Sequence, residues 1–164
     1  MATFAPIAVV GRACVLPGAL TPDQLWDAVV SGTDLLGPAP EGLWRVPKAD
    51  VTCAPDGNSG DRAWTDRGGY VRGFEQVWDA DGFGVPATSL HGLDPLFRYT
   101  LHAGREALKD AGCWQGETRQ TLAVLGNLGF PSAELARFAE GVWWGRAEQT
   151  DPANRFMSGL PALL

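Results

Sequence analysis

The side chains best suited to covalent or proton-transfer chemistry are three thiols, Cys14, Cys53 and Cys113, and two imidazoles, His91 and His102. A thiol becomes a nucleophile when a helix N-terminus, a cation or a neighbouring base favours its thiolate. Cys14 follows a short apolar run with no base near it in the chain, and Cys53 falls in a loop rich in Gly, Pro and Asp. Cys113 trails a helix, where the dipole disfavours a thiolate. Each therefore reads as a small packed thiol. His102 has no His or Cys partner three or four residues away, so no metal site is expected. Asp79-Ala80-Asp81 could pair two carboxylates, but a solvated turn before Gly82 accounts for them equally. The aromatic clusters Val142-Trp143-Trp144 and Phe156-Met157 read as core or interface.

Phosphate-binding loops are missing from the pattern. Gly11-Arg12-Ala13-Cys14-Val15-Leu16-Pro17-Gly18 lacks the second and third glycines of a dinucleotide fingerprint and has Pro17 where a helix should open. No GxxxxGK[ST] segment occurs.

The elements that must position these residues are legible in outline. Ile7-Ala8-Val9-Val10, ended by Gly11, has the unrelieved apolar character of a strand buried on both faces, and residues 121–125 repeat it. The two are expected as neighbours or near-neighbours in one mostly parallel sheet. Thr21-Pro22-Asp23-Gln24 supplies a cap, a first-turn Pro and a Gln three residues after the cap. A helix should run to about Ser31, with Leu25, Trp26, Val29 and Val30 at helical spacing and Gly32 as its stop. Residues 32–69 form a long excursion pinned by Trp44 and Trp64, followed by a short strand or hairpin arm at Gly69-Tyr70-Val71 and Phe74. A short helix is expected near residues 87–91. The clearest element starts with Asp94 as cap and Pro95, carries Leu96, Phe97, Leu101, Ala107, Leu108 and Ala111 along one stripe, and stops at Gly112. Further helices are expected over 132–143 and from Asp151, the last still apolar at Leu163-Leu164, as if cut rather than finished.

The composition sets the class. With 164 residues, 45% hydrophobic and 20% charged, the chain suits one globular domain of α/β class. Its 21 Gly and 12 Pro are about a fifth of the residues against a usual figure of about an eighth, which implies long turn-rich connections. A net charge of −6 with no basic run argues against nucleic acid and against an anionic membrane surface. The first twenty residues carry neither a cationic leader nor an apolar anchor, and the odd, unclustered cysteines suit a reducing compartment, so a soluble cytoplasmic protein is expected.

In order along the chain, Ile7-Ala8-Val9-Val10-Gly11 with Cys14 and Pro17-Gly18, Leu25-Trp26, Gly32-Thr33-Asp34, Trp44-Arg45 and Gly68-Gly69-Tyr70-Val71 form a pattern. Asp79-Ala80 with Phe83-Gly84-Val85, then Leu93-Asp94-Pro95 followed by Glu106-Ala107-Leu108 and Ala111-Gly112, continue it. This ordered series resembles the N-terminal part of a β-ketoacyl synthase, the condensing domain of fatty acid and polyketide synthases. Each motif is weak alone; their joint occurrence at family spacing is specific. Leu93-Asp94-Pro95-Leu96-Phe97-Arg98 departs from the Asp-Pro-Gln-Gln-Arg of modular polyketide synthases. With the segments 126–132 and 154–161, it looks more like the iterative synthases of the polyunsaturated fatty acid type.

The resemblance implies a thiolase-like αβαβα architecture of which residues 1–164 are the N-terminal portion, and a homodimer when complete. It implies decarboxylative Claisen condensation of acyl and malonyl units carried on the phosphopantetheine of an acyl carrier protein. No cofactor or metal would be bound. The family's nucleophilic cysteine and its two histidines match no residue here, so no catalytic residue is expected in this chain, which would need the remainder of the domain. Phe156 and Met157 match a segment the family places beside the acyl pocket and dimer contact, and are the substrate-facing candidates. A second reading from another class is a non-catalytic ketosynthase-like docking or dimerisation module.

Overall fold

A computed structural model describes residues 5–44, 47–53, 62–114 and 121–126. They divide into two compact units: Cys14–Val77, and the residues on either side of it. Among the described residues, seven elements occur in the order α1 (Pro22–Ser31), β1 (Gly37–Pro38), α2 (Lys48–Val51), β2 (Arg67–Gly68), α3 (Phe74–Val77), α4 (Ala87–His91) and α5 (Pro95–Asp110).

The two longer helices begin and end where local chemistry dictates. Thr21 Oγ1 accepts the Gln24 N–H of α1 at 3.2 Å, while the Gln24 side chain reaches back to accept the Leu20 N–H at 2.7 Å. This is the reciprocal exchange of a capping box, moved one residue outward. In α5 the Asp94 carboxylate accepts the Leu96 N–H at 2.9 Å, and Pro95 fills the position that needs no donor. Both helices stop at a left-handed glycine, Gly32 at φ 67° and Gly112 at φ 69°. Beyond them Thr33 and Cys113 donate back to Ala28 and Leu108 at 2.9 and 2.8 Å, which satisfies carbonyls that would otherwise be orphaned. Residues 87–91 form the expected short helix.

Among the described residues of the unit Cys14–Val77, Ala19, Ala39 and Phe74 are the buried apolar ones. The long excursion is held by polar contacts instead. β1 and β2 pair antiparallel, with Gly37 opposite Gly68 and Pro38 opposite Arg67. Lys48 Nζ bridges the Ala39 carbonyl at 2.6 Å and the Asp66 carboxylate at 2.9 Å. Arg72 donates to the Pro38 carbonyl at 2.6 Å, Tyr70 Oη to the Asp66 carbonyl at 2.9 Å, and Arg67 pairs with Asp34. A parallel bridge joins Thr52 to Ala63. The expected tryptophan pins are corrected here: Trp44 is half-buried, but Trp64 is 71% exposed. The hairpin arm also shifts, since the strand is Arg67–Gly68 and Phe74 opens helix α3. On α1, Leu25 is half-buried and Trp26, Val29 and Val30 are exposed, so helical spacing marks an apolar side without saying what covers it.

In the other unit, Phe83, Leu90, Leu93, Phe97 and Leu101 form the core, with Trp78, Ala80, Val85 and Trp114 packed on it. Leu96, Ala107, Leu108 and Ala111, placed on the same stripe by sequence, are half-buried. The strands expected at 7–10 and 121–125 are not formed. Both segments lie outside any ladder, with Ile7 94% and Leu122 83% exposed. An apolar run becomes a strand only when another strand completes its hydrogen bonds, and among the described residues none lies beside either segment. The helices expected over 132–143 and from Asp151 lie outside the described residues.

Gly11 makes the tightest approach in this unit. A side chain there would strike the Ala107 carbonyl and stand 2.9 Å from the Ala111 Cβ, while the next residue's N–H, from Arg12, donates to Asp110 at 2.8 Å. Gly11→Ala is expected to lower stability by about 1–3 kcal/mol, as overpacking against backbone does. Gly84→Ala, where the added methyl meets open space, should stay within about 0.5 kcal/mol of the parent. Paired urea titrations of the two variants check this.

Candidate functional site

Among the described residues, charged and aromatic groups gather around Arg105. This residue lies four positions after Leu101 and eight after Phe97, so α5 carries it into the apolar stripe, where it is 2% exposed. A guanidinium there must find acceptors, because an unpaired buried charge is prohibitive. It finds them in the turn after α3. Nη1 donates to the carbonyls of Asp79 at 2.6 Å and Asp81 at 3.2 Å, and lies 3.6 Å from the Asp79 carboxylate. Nε donates to Glu106 Oε1 at 3.1 Å. The centre of the guanidinium sits 5.0 Å from the Phe83 ring centre, within cation–π range. Trp78 stacks on Phe83 at 5.8 Å and Trp114 meets it edge-on at 5.9 Å, so the ring that faces the cation is itself held by two tryptophans.

The turn is shaped to receive it. Asp79 Oδ1 accepts the Asp81 N–H at 2.9 Å, which folds the chain so that both carbonyls converge on Arg105. The carboxylates themselves do not form an acid–base pair, since the Asp79 side chain is largely exposed and spent on this turn. The expectation of a plain solvated turn is refined: its side chains face water and its carbonyls face α5.

Glu106 is shared between Arg105 and Lys109, whose Nζ lies 2.9 Å away. Burial pushes the Glu106 carboxyl up, but the hydrogen bond and charge of Lys109 and the hydrogen bond from Arg105 outweigh it, leaving the group below its ordinary range. His102, one turn earlier and buried, is held below its ordinary value by desolvation, with Arg105 and Lys109 adding to that and Glu106 opposing it. His91 is exposed at the end of α4.

Cys14 is half-buried, its Sγ 4.0 Å from the Ala19 carbonyl, and burial raises its pKa, which disfavours the thiolate. Cys53 is half-buried with Sγ 3.6 Å from the Ala63 carbonyl, and Cys113 is exposed with Sγ 3.5 Å from the Ala111 carbonyl. Among the described residues no three His, Cys, Asp or Glu gather as metal ligands, and no helix is long and apolar enough to cross a membrane. Phe156, Met157 and the 142–144 aromatic cluster lie outside the described residues. Arg105 escaped the sequence reading, although its register with Phe97 and Leu101 was the available signal. The described arrangement binds and orients backbone; it presents no activated nucleophile.

The comparisons with known proteins meet this geometry at the level of fold. The PfaC Keto synthase-Chain length factor structure matches with a TM-score of 0.69 at 32% identity, over 80% of this chain and 14% of that one. The chain thus falls in the thiolase-like α/β class of condensing enzymes, as an N-terminal portion. Residues 5–156 match the family described as β-ketoacyl synthase, N-terminal domain, and the chain belongs to that family. Among similar proteins, the mycoketide-CoA synthase of Mycobacterium tuberculosis is 36% identical over 65% of this chain and 2% of its own length. The PKS-NRPS hybrid synthetase ATPKS of Aspergillus niger is 34% identical over 69% and 5%. Pikromycin polyketide synthase component PikAII of Streptomyces venezuelae is 34% identical over 65% and 3%. The chain spans a small fraction of the length of these relatives.

Two outcomes test the Arg105 cluster. Arg105→Ala strips two turn carbonyls of their donor and empties the space over Phe83, with an expected loss of about 2–4 kcal/mol. Arg105→Lys, a point charge without a fork, should recover less than half of that in chemical denaturation. For pH, the imidazole of His102 is depressed in the folded state, so the unfolded chain binds the extra proton and stability falls as pH drops below the ordinary histidine value of about 6.5. Glu106, also depressed, adds a second loss below the ordinary carboxylate range. Melting temperature against pH should show both losses, and His102→Gln should remove the upper one while leaving most of the lower, to which His102 adds only a minor part.

Proposed function

We propose that residues 1–164 form the N-terminal portion of a ketosynthase domain whose complete form joins acyl and malonyl thioesters by decarboxylative Claisen condensation, in polyketide or fatty acid biosynthesis. The observation that carries this reading is the match of residues 5–156 to the β-ketoacyl synthase N-terminal domain. The similarity to polyketide synthases and to the PfaC Keto synthase-Chain length factor supports it, and the latter favours the iterative, polyunsaturated fatty acid type.

In this chemistry an acyl group passes from a carrier-protein phosphopantetheine sulfur to a cysteine sulfur, and the carrier thiol leaves. A malonyl thioester then loses carbon dioxide, and the resulting carbanion attacks the acyl thioester carbonyl and expels the cysteine thiolate. Two histidines stabilise the negative oxygens that develop. The raised thiol of Cys14 is unsuited to the first step, and neither Cys53 nor Cys113 stands in a sequence of the nucleophile's type. The nucleophile and the histidines therefore come from the remainder of the domain, and this chain contributes scaffold. Phe156 and Met157 contribute an apolar wall to the acyl pocket or dimer contact. The acyl carrier protein is the partner, the complete domain is a homodimer, and the compartment is the cytoplasm.

Incubated with an acyl-carrier thioester, the chain alone should gain no acyl mass in intact mass spectrometry. Stoichiometric acylation that disappears in a single Cys→Ala variant would overturn this assignment. In a complete synthase, Phe156→Ala or Met157→Ala should shift acyl-chain preference while malonyl decarboxylation stays within about twofold of the parent, because these side chains carry no proton or charge. Equal slowing of both half-reactions with an unchanged product profile would instead make them packing residues.

A further inference from the structure

We draw no further inference here: the strongest candidate, the exposed apolar side of α1 formed by Trp26, Val29 and Val30, carries nothing because no feature of the structure shows what covers it.

Discussion

A guanidinium buried beneath an aromatic ring needs acceptors where water has left, and that requirement organises the unit built around α5. Arg105 Nη1 draws the carbonyls of Asp79 and Asp81 onto the helix, and Phe83, two residues beyond Asp81, is thereby held over the cation and against Trp78 and Trp114. The apolar core of Phe83, Leu90, Leu93, Phe97 and Leu101 grows from that anchor. Hydrogen bonds to a charged donor are about twice as strong as neutral ones, and here the alternative to making them is an unsolvated cation. The turn is therefore more tightly determined than its Asp- and Gly-rich sequence suggests.

The unit Cys14–Val77 follows a different logic. Among its described residues few apolar side chains are buried, and long side chains tie distant backbone together: Lys48 to Ala39 and Asp66, Arg72 to Pro38, Tyr70 to Asp66. Such ties are partly exposed, and each stabilises modestly. They suit a segment whose Gly and Pro content leaves little apolar surface to bury. The Lys48 contact holds the Asp66 carboxyl below its usual range, chiefly through its hydrogen bond; Asp34 is lowered first by the Leu36 N–H and then by Arg67.

For a condensing-enzyme family, this division of labour is coherent. Charge-assisted contacts fix turns to helices in both units, while burial raises the Cys14 thiol above its ordinary value. The apolar segments 7–10 and 121–125 lie within the region that matches the family and stand outside any ladder among the described residues.

Taken alone, the sequence determined what depends on contacts a few residues apart. The caps at Thr21 and Asp94, the first-turn prolines and the glycine stops at Gly32 and Gly112 placed α1 and α5 correctly, since each signal acts within one helical turn. The ordered motifs also carried the family. Residues far apart in sequence were decided only by the tertiary structure. Trp64 was expected inside and lies outside, Arg105 was passed over and lies inside, and the two apolar runs read as strands form none. A helix satisfies its own backbone, so its residues suffice to specify it. A strand, a buried cation or a packed tryptophan is defined by a neighbour that only the fold supplies.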